Sequence, residues 1–141
     1  MSVISKGKQH HQHKPRGQSL VEFALLAPIL LLLILGAMDF ARMFSTKITL
    51  TNAAREGANY LSRHPKEYPD TTNTIFIINT EAVDITDIDK IISCSNACEA
   101  GDTVTVTVKR EVELLFGGFL QSFGISDGAI ELSSTVEMMV Q

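Results

Sequence analysis

The chain has 141 residues, 45% of them hydrophobic and 20% charged, with no tryptophan, which bounds it at one domain plus an accessory segment. Residues 1–17 carry Lys6, Lys8, Lys14 and Arg16 and no acid, a charge of +4, whereas the remaining 124 residues set eight Lys/Arg against all sixteen Asp/Glu, a charge of −8. With no basic patch beyond the head there is no footing for nucleic-acid binding, and a basic head on an acidic body reads as a topogenic or processed N-terminus.

After this leader, Phe23 to Met38 reads FALLAPILLLLILGAM, sixteen residues without a charge. Extended to Leu20 and Phe44, with Glu22, Asp39 and Arg42 near its ends, the run reaches the roughly 17–25 residues that a spanning helix needs. The basic cluster before it predicts a cytoplasmic N-terminus, with everything after about residue 44 outside. A secretory signal peptide would have a shorter apolar core followed by small residues at a cleavage site, but Asp39, Phe40, Ala41 and Arg42 follow Met38. That leaves a plain signal anchor, or a leader cut before the apolar run.

Residues 16–23, R-G-Q-S-L-V-E-F, distinguish the two. A glycine closes the basic leader, and four residues separate it from Glu22 and Phe23. Glycine lets extended backbone enter a protease cleft without steric cost, and the basic leader holds that bond at the cytoplasmic face. Cleavage is expected between Gly17 and Gln18, which makes Glu22 the fifth residue of the trimmed chain. A carboxylate at the edge of a membrane run needs a partner. One reading gives it the new α-amino group of a neighbouring subunit in a filament. The other leaves it at the interface, stabilised by the helix N-terminus. The spacing from Gly17 favours the first.

S-L-V-E-F-A-L-L-A-P-I-L-L-L-L-I-L-G-A-M-D-F-A-R, followed at 51–58 by T-N-A-A-R-E-G-A, resembles the TadE-like family, pseudopilins or minor pilins of the tight-adherence (Flp-type) pilus system. The resemblance is densest over residues 16–62, returns in G-D-T-V-T-V-T-V at 101–108 and in the final strand-like segment, and is loose over 64–93. It implies trimming by a prepilin peptidase, contacts with membrane lipid, other pilus subunits and assembly proteins, and a role in pilus assembly, adhesion and surface colonisation. It implies no catalysis by the chain itself.

Beyond the run the helical pattern continues: Leu50, Ala54, Gly57, Ala58 and Leu61 recur at three- and four-residue spacings. The middle of this face is small, which admits close approach of another element. It reads as the docking seam for the C-terminal domain, with a subunit–subunit seam as the alternative. The helix is predicted from about Gln18 to about Ser62, ended by Arg63-His64-Pro65, since proline disfavours helix in the residue before it. Pro28 removes one hydrogen bond, to the Ala24 carbonyl, and bends the run locally.

Residues 65–74 read as a turn-rich connector. Residues 75–82 suit a helix through Ile75, Ile78 and Ala82, or a buried strand through I-F-I-I, and the family resemblance favours a short helix. Asp84, Asp87 and Asp89 read as a solvated acidic loop, because the central glycine and closing glutamate of a calcium loop are missing. Thr103–Val108 alternates Thr and Val, with Val112 and Leu114 in phase, and predicts a half-buried strand. Arg110 breaks its apolar face, by snorkelling or at a bulge. A second strand is expected over 129–140. The glycine-broken L-F-G-G-F-L-Q-S-F-G-I between them reads as a short helix or loop over the core, or as an exposed surface that meets a membrane or partner.

Cys94 and Cys98 lie on the outer side of the predicted topology, face each other across a turn that joins two strands, and can form a disulfide, whose short loop limits its stabilisation. A metal site would need more ligands, and His10, His11 and His13 fall in the leader. No nucleophile–base pair or phosphate loop stands out, and His64 adjoins a proline at a helix end, so neither an enzyme nor a cofactor nor a small-molecule substrate is expected. The predicted fold is α+β and pilin-like: a long N-terminal helix packed on a small antiparallel sheet. The predicted organisation is a leader at 1–17, a transmembrane helix at 18–44, its extracytoplasmic continuation at 45–64 and a small α+β extracytoplasmic domain at 65–141. The alternative function is a single-pass anchored scaffold or binding protein that never polymerises.

Overall fold

The computed structural model describes residues 17–83, 85–122, 124 and 128–141. Leader residues 1–16 with their histidines, Asp84 of the acidic trio, and Phe123 and Ile125 of the glycine-broken stretch lie outside the described residues. In chain order the elements are helix α1 (Gln18–Arg63), a 3-10 turn (Pro65–Glu67), helix α2 (Thr72–Glu81), strands β1 (Asp89–Cys94) and β2 (Thr103–Glu113), a short helix α3 (Gly117–Gln121) and strand β3 (Ala129–Met139). The chain divides into two compact units, Met1–Leu33 and Ile34–Gln141, and α1 contributes to both.

In the first unit, α1 continues through Pro28 as one helical element. Its apolar window has a mean hydropathy of 2.6 and none of it is buried, so the helix is long and apolar enough to cross a membrane.

In the second unit, α1 packs on a three-stranded antiparallel sheet of order β1-β2-β3, the α+β arrangement that the sequence predicts. Leu50, Ala53, Ala54, Ala58 and Leu61 of α1 are buried against Ile78 and Ala82 and against Val104, Val106 and Val108 of β2. The small-residue seam of α1 is therefore occupied by the chain's own domain. The approach is close at Gly57, where a Cβ would lie 2.7 Å from Ile78 Cγ1. Polar contacts extend the same interface: Ser134 Oγ donates to Thr51 Oγ1 at 3.0 Å, Thr51 Oγ1 donates to the Lys47 carbonyl at 2.8 Å, and Lys47 Nζ donates to the Ser133 carbonyl.

The helix ends one residue later than predicted, at Arg63, with the His64 N–H donating to the Tyr60 carbonyl at 3.0 Å before Pro65 opens the 3-10 turn. α2 starts inside the expected connector. The Asp70 carboxylate accepts from both the backbone N–H and the hydroxyl of Thr72, at 3.2 and 2.6 Å, and this local turn supports the helix entry three residues ahead of Ile75. Residues 75–81 are helical, so the strand alternative is excluded.

β2 pairs with β3 in one unbroken register from Thr103↔Met139 to Glu113↔Ala129, which removes the bulge reading at Arg110. Arg110 is half-buried opposite Leu132 and faces a shallow groove lined by Arg42, Thr46 and Thr49 of α1. Leu114 falls just outside β2, although its N–H donates to the Gly128 carbonyl, 2.8 Å away, in line with the same register. β1 corrects the acidic-loop reading at Asp89: that residue opens the strand opposite Lys109, whereas Asp87 stays in the loop with a φ of 57°.

Candidate functional site

The junction singled out by its sequence sits at the start of α1. Gly17 is exposed, and its carbonyl accepts the Val21 N–H at 3.2 Å, closing the first helical turn. A Cβ at Gly17 would touch nothing within 4 Å, so packing among the described residues does not require the glycine there. The structure joins two of the predicted residues: Gln18 Nε2 donates to Glu22 Oε1 at 3.2 Å. The spacing that could have announced this contact is the i,i+4 pairing of an amide with a carboxylate on one helix face. Glu22 and Phe23 are exposed, and no acid occupies the first turn of α1.

The segment that follows carries Leu25, Leu26, Ile29, Leu30, Leu31 and Leu33, each at least half exposed. A continuous apolar surface of this kind is stable only against lipid or against other apolar helices.

Sequence reasoning placed Asp39 merely near the end of the run. The structure buries it: the residue is 5% exposed, and its carboxylate accepts the backbone N–H groups of Leu115 and Phe116, both at 2.8 Å. Arg42 lies one turn on, with its guanidinium 4.0 Å from the same carboxylate. The available signal was a lone carboxylate closing an apolar run, which demands a partner.

At the far side of the domain, Cys94 and Cys98 are joined by a disulfide across a four-residue separation, with Cys98 in the left-handed region at a φ of 61°. Asp102 organises the same turn. Hydrogen bonds from the Asn96 side chain (2.9 Å) and the Glu99 N–H (3.0 Å) hold its carboxyl below the ordinary range. His64 has a structural position: its ring stacks on Tyr60 with centroids 4.4 Å apart, and its Nδ1–H donates to the Tyr60 carbonyl at 3.0 Å.

Asp87, Asp89, Glu111, Glu113 and Glu131 line an open groove of about 720 Å³ together with Lys109 and Arg110. Lys109 Nζ is paired with Glu131 at 3.1 Å, and among the described residues no group of three His, Cys, Asp or Glu could hold a metal ion.

Among the described residues, one long apolar helix that is unburied over its most apolar window, in a chain with a small α+β domain, is consistent with a single-pass membrane anchor. Residues 17–59 match the family model described as TadE-like protein, the family that the motifs of this segment resemble. The match supports a membrane protein associated with the Tad pilus. No curated protein and no solved structure matches the chain.

Proposed function

We propose that this chain is a pseudopilin or minor pilin of the tight-adherence pilus, cut by a prepilin peptidase between Gly17 and Gln18. Residues 18–44 anchor it in the cytoplasmic (inner) membrane with the N-terminus inside, and residues 65–141 lie outside the cytoplasm. Glu22 pairs with the α-amino group of a neighbouring subunit's first residue during assembly, and the assembled pilus supports adhesion and surface colonisation.

The observation that carries this reading is a coincidence of boundaries. The TadE-like match begins at Gly17, where the basic leader stops, and α1 begins at the next residue. Two features support it. Among the described residues the apolar face of the helix has no partner within its own unit, as expected of a segment that exchanges lipid for neighbouring helices. The Cys94–Cys98 disulfide suits an oxidising compartment outside the cytoplasm.

The test is fractionation of cells that assemble the pilus. The chain is expected in sheared filaments, and Glu22→Ala is expected to remain in the membrane fraction while still being trimmed. A chain absent from filaments, with assembly unaffected by Glu22→Ala, supports the non-polymerising scaffold instead.

A further inference from the structure

We infer that the turn at Leu115-Phe116 is a second membrane contact, held at the outer boundary of the bilayer by Asp39. The inference rests on the reading of α1 as a membrane anchor. Asp39 directly follows the last of the sixteen uncharged residues Phe23–Met38. Sixteen helical residues rise about 24 Å, less than the roughly 30 Å of a hydrocarbon core, so the run ends with Asp39 at the edge of the core and not clear of it. A bare carboxylate at that depth is expensive. Here it is covered, because two backbone N–H groups at 2.8 Å satisfy it and the Arg42 guanidinium stands 4.0 Å away. The residues that supply those N–H groups therefore sit at the same depth as Asp39.

The turn is braced as well as pinned. The Leu114 N–H donates to the Gly128 carbonyl at 2.8 Å and the Gly117 N–H to the Leu114 carbonyl at 3.0 Å. Gly117 approaches Gly128 so closely that a Cβ would lie 2.6 Å from the Gly128 oxygen. A turn fixed at both ends nevertheless presents apolar surface outward: Leu115 is 51% exposed, and Met38, Phe40 and Phe44 of α1 are exposed beside Asp39 in the sequence. Water is a poor neighbour for this set, whereas the boundary between headgroups and acyl chains suits it. The occupant is a lipid surface, continuous with the one around α1.

The chain lacks tryptophan, so a single introduced indole reports its own surroundings. Three full-length variants, Leu115→Trp, Leu30→Trp and Phe76→Trp, are reconstituted into phosphatidylcholine vesicles brominated either near the headgroup end or near the tail end of the acyl chains. Phe76 is 69% exposed on α2 and serves as the aqueous reference, and Leu30 serves as the anchor reference. Leu115→Trp is expected to be quenched at least twofold more by the shallow bromines than by the deep ones, and at least twofold less by acrylamide than Phe76→Trp. Acrylamide quenching equal to that of Phe76→Trp, with no bromine quenching while Leu30→Trp is quenched by the deep label, overturns the second contact and leaves the anchor standing. An unquenched Leu30→Trp overturns the anchor itself, and with it this inference.

Discussion

Asp39 and Leu115 are bonded carboxylate to backbone amide at 2.8 Å across 76 residues of sequence, and Phe116 repeats the bond at the same distance. One side chain at the end of the apolar run thus fixes the turn between β2 and α3.

Asp39→Ala leaves both amides without their acceptor. Hydrogen bonds to charged groups contribute about 1.5–3 kcal/mol each, and the pair is not additive, so a loss of about 2–4 kcal/mol is expected. Asp39→Asn keeps one acceptor oxygen and should lose less. Thermal unfolding in detergent and amide exchange at Leu115 and Phe116 check this, with the alanine variant losing protection at both amides.

Gly57 faces Ile78 of α2 with no room for a Cβ between them. Alanine is favoured over glycine in a helix by about 1 kcal/mol, but its Cβ would meet Ile78 Cγ1 at 2.7 Å and Cδ1 at 2.8 Å, and overpacking costs about 1–3 kcal/mol. Gly57→Ala should therefore be slightly destabilising, by about 1 kcal/mol. Combining it with Ile78→Val, which removes Cδ1, should recover part of that loss. Gly57→Leu should cost more than either, and the order of melting temperatures tests the seam.

Thr74 is fully buried beside this contact, and its Oγ1 is the buried side-chain oxygen without a hydrogen-bond partner among the described residues. An unsatisfied hydroxyl costs about 1–3 kcal/mol. Thr74→Val keeps the shape and removes that cost, so a gain of about 1 kcal/mol is expected, read as a raised melting temperature.

Much of this fold is local and therefore visible in the residues. The Thr–Val alternation from Thr103 to Val108 is a period-2 pattern that only a strand satisfies, and the three- and four-residue spacing of Leu50, Ala54, Ala58 and Leu61 belongs to one helix face. The Gly17–Glu22 junction is equally local, being one turn of chain. β1 was less legible, because D-K-I-I-S-C is an edge strand with Ile91 turned outward and no clean alternation of polarity. The early start of α2 depends on the Asp70 turn and not on the apolar period. Asp39 was opaque for a different reason: its partners are backbone amides 76 and 77 residues away, and backbone groups carry no sequence signature.

The turn at Asp102 carries a pH dependence with a definite sign. Hydrogen bonds from Asn96, and then from the Glu99 amide, lower its folded pKa below the ordinary 3.8. A depressed carboxyl contributes stability that is fully present above the unfolded value and is lost as pH falls through the folded one. Protection of the Glu99 amide should stay constant from neutral pH down to about 5 and fall only below 3.8, whereas Asp102→Ala should lose it at every pH.

The central claim concerns the bond after Gly17. Intact mass and N-terminal peptide mapping of the chain extracted from membranes of cells that make the pilus test it directly. The account predicts a trimmed chain beginning at Gln18, and a Gly17→Asp variant that still inserts but keeps its leader. A mature chain beginning at Met1 or at a residue past Met38, or a Gly17→Asp chain trimmed like the native one, would contradict it.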